Sequence, residues 1–221
     1  MTPNTDGIVY VVDDDWRICE ALEELMAASG LAALTFPSIS AYLQHARVDT
    51  PGCLVLDVDL PDLNGLDFQE QLESKLKAAH PPIVFITGYG DIPSTVRAIR
   101  HGAVNVLTKP YNDVELLTSI RTALELDRTA RAQRKELEVL QTRYERLTPR
   151  EREALPLIVS GLLNKQAAAE LGISDVTMQI HRSKIMQKMA ASSLAELVRL
   201  ADRLQVPIQH ARLERRSQID D

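Results

Sequence analysis

The sequence predicts a doubly wound α/β domain on a five-stranded parallel sheet, then a long linker helix, then a small all-α domain. Three observations carry that assignment. Between Ile8 and Ile120, short apolar runs alternate with amphipathic stretches; from Asn112 to about Leu147 there is neither Gly nor Pro; and beyond Thr148 only helical spacing recurs. At 221 residues the chain is long for one domain and comfortable for two.

The strands are read at Ile8–Val12, Leu34–Phe36, Cys53–Leu56, Ile83–Ile86 and Val104–Leu107, each a short run rich in β-branched or aromatic residues. Helical spacing occupies the intervals around Ala21–Ala28, Ser40–Ala46, Leu66–Leu76 and Pro93–Ile99, with Ser38, Asp91 and Asn112 placed to cap. Strands buried on both faces and joined through helices make a parallel sheet, whose functional edge lies outside the carboxyl ends of its strands. This first domain is expected over 1–122. The linker helix, 123–147, continues its last helix and carries Leu137, Leu140, Tyr144 and Leu147 at steps of three, four and three. That seam fits a homodimeric coiled coil, or equally a helix packed on its own domains, since Ser119 and Gln133 interrupt the repeat. A second domain, 148–206, opens on Thr148-Pro-Arg-Glu151, with a capping residue, a first-turn proline and an acid at the third helical position. Four short helices fit before Gln205, and 207–221 reads as a mobile tail.

Composition narrows the function classes. Hydrophobic residues at 45% and charged residues at 25% exclude a disordered chain. The absence of an eighteen-residue apolar run and the polar Met1–Gly7 predict a soluble cytoplasmic protein with no membrane partner. Cys19 and Cys53 fit no metal or redox spacing and read as small apolar side chains. Through Thr122 there are 17 acids against 8 bases, and beyond it 14 against 17, so a net of −9 precedes a net of +3. Two modules with different partners are implied.

The acids of the first module gather where the fold predicts chemistry. Asp13, Asp14 and Asp15 follow the first strand and Asp57 ends the third. Three carboxylates held about 5 Å apart at an effective dielectric near 20 store roughly 10 kcal/mol of repulsion, which a divalent cation relieves. Oxygen-only ligands that leave room for water and phosphoryl oxygens suit Mg²⁺. Thr87 and Lys109 stand at the ends of the fourth and fifth strands, a hydroxyl and an ammonium able to hold phosphoryl oxygens while Asp57 attacks phosphorus.

With Asp13-Asp14, Leu56-Asp-Val-Asp-Leu-Pro-Asp-Leu-Asn-Gly65, Thr87-Gly88 and Lys109-Pro110, residues 7–122 resemble a response-regulator receiver domain, of flavodoxin-like fold. The resemblance implies Asp57 as phosphoacceptor, Mg²⁺ held by the Asp14 and Asp57 side chains and the Asp59 carbonyl with Asp13 assisting through water, Lys109 pairing with phosphorylated Asp57, and Thr87 turning toward the phosphoryl group. Val106 stands where that family has a switching Tyr or Phe; Tyr111 and Tyr89 are the nearby aromatics.

In the second module, Lys165–Leu171 and Asp175–Met189 read as helices parted by Gly172-Ile-Ser174, a helix-turn-helix spacing. Met178, Ile185 and Met189 share one face of the second helix. Gln179, Ile180, Ser183 and Lys184 share the other, which suits a major groove, while Asn164, Lys165, Thr177 and Arg182 suit phosphates. The runs Leu147-Thr-Pro-Arg-Glu-Arg-Glu153, Gly161-Leu-Leu-Asn-Lys165, Leu171-Gly-Ile-Ser174, His181-Arg182, Ile185-Met-Gln-Lys-Met189 and Ser193-Leu-Ala-Glu-Leu-Val198 are similar to the LuxR-type DNA-binding domain. Gln179 stands where that family often has Lys.

Together the two resemblances make the chain similar to a NarL/FixJ response regulator. They imply a phosphorylation-activated transcription factor, not an enzyme, whose partners are a sensor histidine kinase, promoter DNA, a second copy of itself on activation, and RNA polymerase. Two other readings compete. Asp57-Val-Asp59 also opens the Asp-x-Asp motif of haloacid-dehalogenase-like phosphatases, although no acidic pair follows a strand after Lys109. A receiver that works without phosphate is the other, which the full set of Asp13, Asp14, Asp57, Thr87 and Lys109 disfavours.

Overall fold

The computed structural model describes residues 7–46, 48–75, 80–88 and 90–207, and divides the chain into two compact units, 1–132 and 133–221. The expected tail beyond Pro207 and the aromatic Tyr89 lie outside the described residues.

In the first unit the elements alternate: β1 (Ile8–Val12), α1 (Trp16–Ala28), β2 (Ala32–Phe36), α2 (Ile39–Gln44), β3 (Gly52–Asp57), α3 (Gly65–Lys75), β4 (Ile83–Thr87), α4 (Ile92–Arg100), β5 (Asn105–Thr108) and the start of α5 (Asp113–Glu145). The sheet is parallel throughout, in the order β2-β1-β3-β4-β5. The order in which strands are added reverses between β1 and β3, which opens a crevice beyond their carboxyl ends.

Strand periodicity builds two cores. Val9, Val11, Cys53, Val55, Val84 and Ile86 face Leu22 and Met26 of α1 and Leu116, Ile120, Ala123 and Leu124 of α5. Tyr10, Val12, Leu54, Leu56 and Phe85 face Ile39 and Tyr42 of α2, Leu66, Phe68 and Leu72 of α3, and Ala98 of α4. All six residues of β3 are buried. At roughly 1.5–3 kcal/mol per fully buried aliphatic side chain, these layers hold the strand that ends in Asp57 against lateral movement.

Helix α1 begins at Trp16, five residues before the apolar periodicity shows it, because the Asp15 carboxylate accepts the Arg17 N–H and caps the first turn. Ser38 and Asp91 cap α2 and α4 in the same way, accepting from Ala41 and Ser94.

The second unit contains the end of α5 with α6 (Pro149–Val159), α7 (Asn164–Leu171), α8 (Asp175–Met189) and α9 (Leu194–Arg203). Leu140 and Leu147 are buried in its core with Leu155, Ile158, Met178, Ile185, Met189 and Leu197, and Tyr144 packs against them. Thr148 and Glu151 form a reciprocal capping box. The Glu151 carboxylate is buried and paired with Lys188 at 2.6 Å, which ties α6 to α8.

Candidate functional site

The carboxyl ends of β1, β3, β4 and β5 bring Asp13, Asp57, Thr87 and Lys109 to one rim. Asp13 is 1% exposed and Asp57 5%. Carboxylate oxygens of Asp13, Asp14 and Asp57 lie within 4.8 Å of one another, and Asp14 is exposed on the solvent side. Lys109 Nζ donates to Asp13 Oδ2 at 2.8 Å and to Asp57 Oδ2 at 3.1 Å. Its backbone N–H donates to the Thr87 carbonyl at 2.8 Å, fixing the lysine beside β4. The Asp59 N–H donates to Asp57 Oδ1 at 3.4 Å, and Thr87 Oγ1 donates to Asp59 Oδ2 at 3.5 Å. Asp59 thus contacts both the Asp57 carboxylate and the Thr87 hydroxyl, while its own carboxylate stays outside the three-acid cluster. Asp15 is turned away, paired with Arg17.

Burial pushes the Asp13 carboxyl above its usual pKa, opposed by the hydrogen bond from Lys109. Burial also works to lower the Lys109 ammonium, but Asp13 and Asp57 outweigh it and hold the lysine above its ordinary value. It stays charged. Three acids against one ammonium leave excess negative charge with oxygen donors only, the donor set a hard cation takes. An open crevice of about 160 Å³ runs beside Asp13 and Asp14, walled by Trp16, Phe36 and Pro37.

In the second unit α7 ends on Gly172, whose φ of +64° turns the chain where a β-carbon costs energy. Ser174 then accepts the Thr177 N–H and caps α8. Met178, Ile185 and Met189 point into the core, and Gln179, Ile180, Ser183 and Lys184 are exposed together. Lys165 is exposed on α7. Arg182 donates to Asn164 Oδ1 at 3.1 Å, and the Thr177 hydroxyl shares a 2.8 Å hydrogen bond with Ser174, so these side chains brace the two helices and the turn.

Residues 9–121 match the response regulator receiver domain and residues 145–201 match the luxR family of bacterial regulatory proteins. Nodulation protein W of Bradyrhizobium diazoefficiens is 44% identical over 207 residues, 94% of this chain and 90% of that protein. The transcriptional regulatory protein FixJ of Rhizobium meliloti is 37% identical over 197 residues, 89% of this chain and 96% of that protein. The chain belongs to the NarL/FixJ family of response regulators. Among solved structures, the response regulator StyR is similar at a TM-score of 0.78 and 43% identity, covering 89% of this chain and 98% of that one. This response regulator is therefore a phosphorylation-activated transcriptional regulator; the phosphatase and phosphate-independent readings are not favoured. Among the described residues no helix is long and apolar enough to cross a membrane.

Several contacts that shape this regulator's rim are absent from the sequence reading. Burial and the Asp13 charge keep the Cys19 thiol protonated, and it donates to the Asp13 carbonyl at 3.3 Å. A β-carbon on Gly65 would lie 2.5 Å from the Asp57 carbonyl oxygen, so only glycine lets α3 start there. Val106 packs partly buried against the core, while Tyr111 is partly buried on the opposite face of the sheet. On α8, Val176 is 68% exposed beside the exposed set of Gln179, Ile180, Ser183 and Lys184.

Proposed function

We propose that Asp57 is the phosphoacceptor of this response regulator, that a sensor histidine kinase supplies the phosphoryl group, and that the result is paired binding of the C-terminal units to promoter DNA. The observation that carries the reading is the Lys109 ammonium held between two buried carboxylates at 2.8 and 3.1 Å. Asp57 attacks phosphorus through a carboxylate oxygen; the bond from phosphorus to the donor's imidazole nitrogen breaks, the imidazole leaves with the electron pair, and an acyl phosphate remains. Lys109 offsets charge on the transferring group and then on the product. The Thr87 hydroxyl, next to Asp59, is placed to donate to a phosphoryl oxygen. Asp14 and Asp57, with the Asp59 carbonyl, would hold Mg²⁺, and Asp13 would assist through water. When bound, that cation supplies positive charge for the phosphoryl oxygens.

Gln179, Ile180, Ser183 and Lys184 then read base edges while Asn164, Lys165, Thr177 and Arg182 position the phosphate backbone. Pairing two such units doubles the phosphate contacts, which raises affinity and steepens its salt dependence, a sufficient switch of occupancy. Homodimerisation and recruitment of RNA polymerase complete the reading, and a DNA target places the work in the cytoplasm. The test is incubation with acetyl phosphate and Mg²⁺. One added phosphoryl group by mass and tighter binding to the DNA upstream of its own gene are expected, both lost in Asp57→Asn. Phosphoryl label persisting on Asp57→Asn overturns the assignment.

A further inference from the structure

Met178, Ile185 and Met189 of α8 are fully buried and mark the side of the helix that faces the core of the second unit. At about 100° per residue, Val176 and Ile180 fall on the opposite side, one turn apart, and Ser183 and Gln187 continue the same strip. The exposures agree: Val176 is 68% exposed and Ile180 49%, and Ser183 and Gln187 are exposed with them. The outermost line of α8 is thus apolar over its first two turns and polar beyond.

Neither the helix nor the core accounts for an apolar start. A β-branched side chain forms helix less well than alanine, and Ser174 already caps this turn by accepting the Thr177 N–H. Val176 and Ile180 take no place in the core of the second unit. Single exposed apolar residues are ordinary on any surface. Two of them stacked at i and i+4, on the outward line of the second helix of a helix-turn-helix, face whatever that helix enters. The surroundings identify it. Lys184, one turn beyond Ile180, and Lys165 on α7 are exposed cations, whereas the acid Asp175 stands on the flank, about 100° round from Val176. A basic frame around an apolar line suits duplex DNA, whose major groove offers the 5-methyl group of thymine as its apolar feature.

We propose that Val176 is a specificity-determining residue which, with Ile180, contacts the 5-methyl groups of two nearby thymines in the major groove. The inference rests on α8 as the base-reading helix. Four residues advance a helix by about 6 Å and base pairs are stacked about 3.4 Å apart, so the two thymines lie roughly two base pairs from one another. Gln179 and Lys184, on either side of the apolar line, are left for the hydrogen-bonding edges of the neighbouring bases.

The test starts from the full chain treated with acetyl phosphate and Mg²⁺, which selects its site from a pool of random duplexes. The selected duplex is then made with deoxyuridine in place of each thymine in turn, which deletes the 5-methyl group and keeps the pairing, and affinities are measured for wild type, Val176→Ala and Ile180→Ala. Wild type should lose about fourfold at each of two thymines in a half-site, the worth of one buried methyl. Val176→Ala should become insensitive, within twofold, at one of those thymines and keep its response at the other, and Ile180→Ala should do the reverse. Wild-type indifference to every deoxyuridine overturns the proposal. So does Val176→Ala that binds more weakly to all duplexes alike with both responses intact, the pattern of a merely structural valine. If the wild type selects no sequence at all, base reading by α8 fails first and this proposal with it.

Discussion

Asp14→Asn should make the metal-free protein more stable and at the same time deaf to magnesium. Asp14 shares the rim with Asp13 and Asp57, all three carboxylates within 4.8 Å. At that separation each pair repels by about 3.5 kcal/mol at an effective dielectric of 20 and by about 0.9 kcal/mol in bulk water. Asp14 is exposed, so the working value lies toward the water limit. Two pairs, less the attraction to Lys109, leave a net gain of about 1 kcal/mol on removing the charge. With a urea slope near 2 kcal/mol/M, the midpoint rises by about 0.5 M. Magnesium at ten times its dissociation constant should stabilise the wild type by about 1.4 kcal/mol and the variant by almost nothing. Trp16, the single tryptophan, walls the crevice beside Asp13 and Asp14, so its fluorescence follows unfolding of the first unit separately from the second. Urea titrations in EDTA and in magnesium then give both numbers. A variant less stable than wild type in EDTA, or one with an undiminished magnesium increment, refutes the charge-crowding argument.

Other perturbations reach different parts of the molecule. Gly65→Ala drives a β-carbon to 2.5 Å from the Asp57 carbonyl and 3.2 Å from the Phe85 ring, and the Asp57 backbone must shift. Acyl phosphate formation should slow by about tenfold or more while circular dichroism shows the fold retained. Burial works to raise the Glu151 carboxyl pKa, but Lys188 and the Thr148 N–H outweigh it and hold it below its ordinary value. Ionised Glu151 therefore adds stability that is fully present above about pH 4.5 and fades as pH falls through the depressed folded value. Thermal unfolding should find Glu151→Gln about 2 kcal/mol less stable at neutral pH, with the difference shrinking in acid. Lys165→Ala should reduce the slope of log affinity against log salt by about 0.9 per lost phosphate contact, whereas Gln179→Ala should leave the slope and change base preference by about 1–3 kcal/mol. Binding titrations over a salt series separate the two.

The legible and illegible features divide along a physical line. Asp13, Asp57, Thr87 and Lys109 could be placed at one rim from sequence because alternation in a parallel sheet sends every strand end to the same edge. Gly172 and Ser174 could be placed because turn and cap chemistry is local. The start of α1 was hidden, since Trp16 and Arg17 are exposed and only the Asp15 cap marks them as helical. The seam through Leu140, Tyr144 and Leu147 showed that one face of the linker helix is covered but not by what, because an apolar stripe looks the same to any partner; in the structure it meets the second unit's own core. The bonds from the Cys19 thiol to the Asp13 carbonyl and from the Gly52 N–H to the Asp127 carboxylate were unreadable for the same reason as one another. Each acts on a backbone atom, and a carbonyl or N–H leaves no trace in the identity of the residue that carries it.

That division bears on how the rim can respond to a phosphoryl group. The strands of the first unit are buried between two packed layers, and close-packed interiors yield in discrete rearrangements rather than by gradual deformation. The burial of β3 leaves Asp57 little room to translate. What is free to change is the set of side chains hydrogen-bonded around it, in which Lys109 divides its donors between Asp13 and Asp57 and Thr87 is directed at Asp59. With Asp57 as the proposed acceptor, new charge there would draw Lys109 away from Asp13, a carboxylate whose burial already disfavours ionisation, and would give Thr87 a stronger acceptor than Asp59. Because Lys109 and Thr87 are joined through the backbone bond between β4 and β5, the two changes occur together. On that proposal the segments that follow those strands, leading into α4 and α5, would receive the signal as one step.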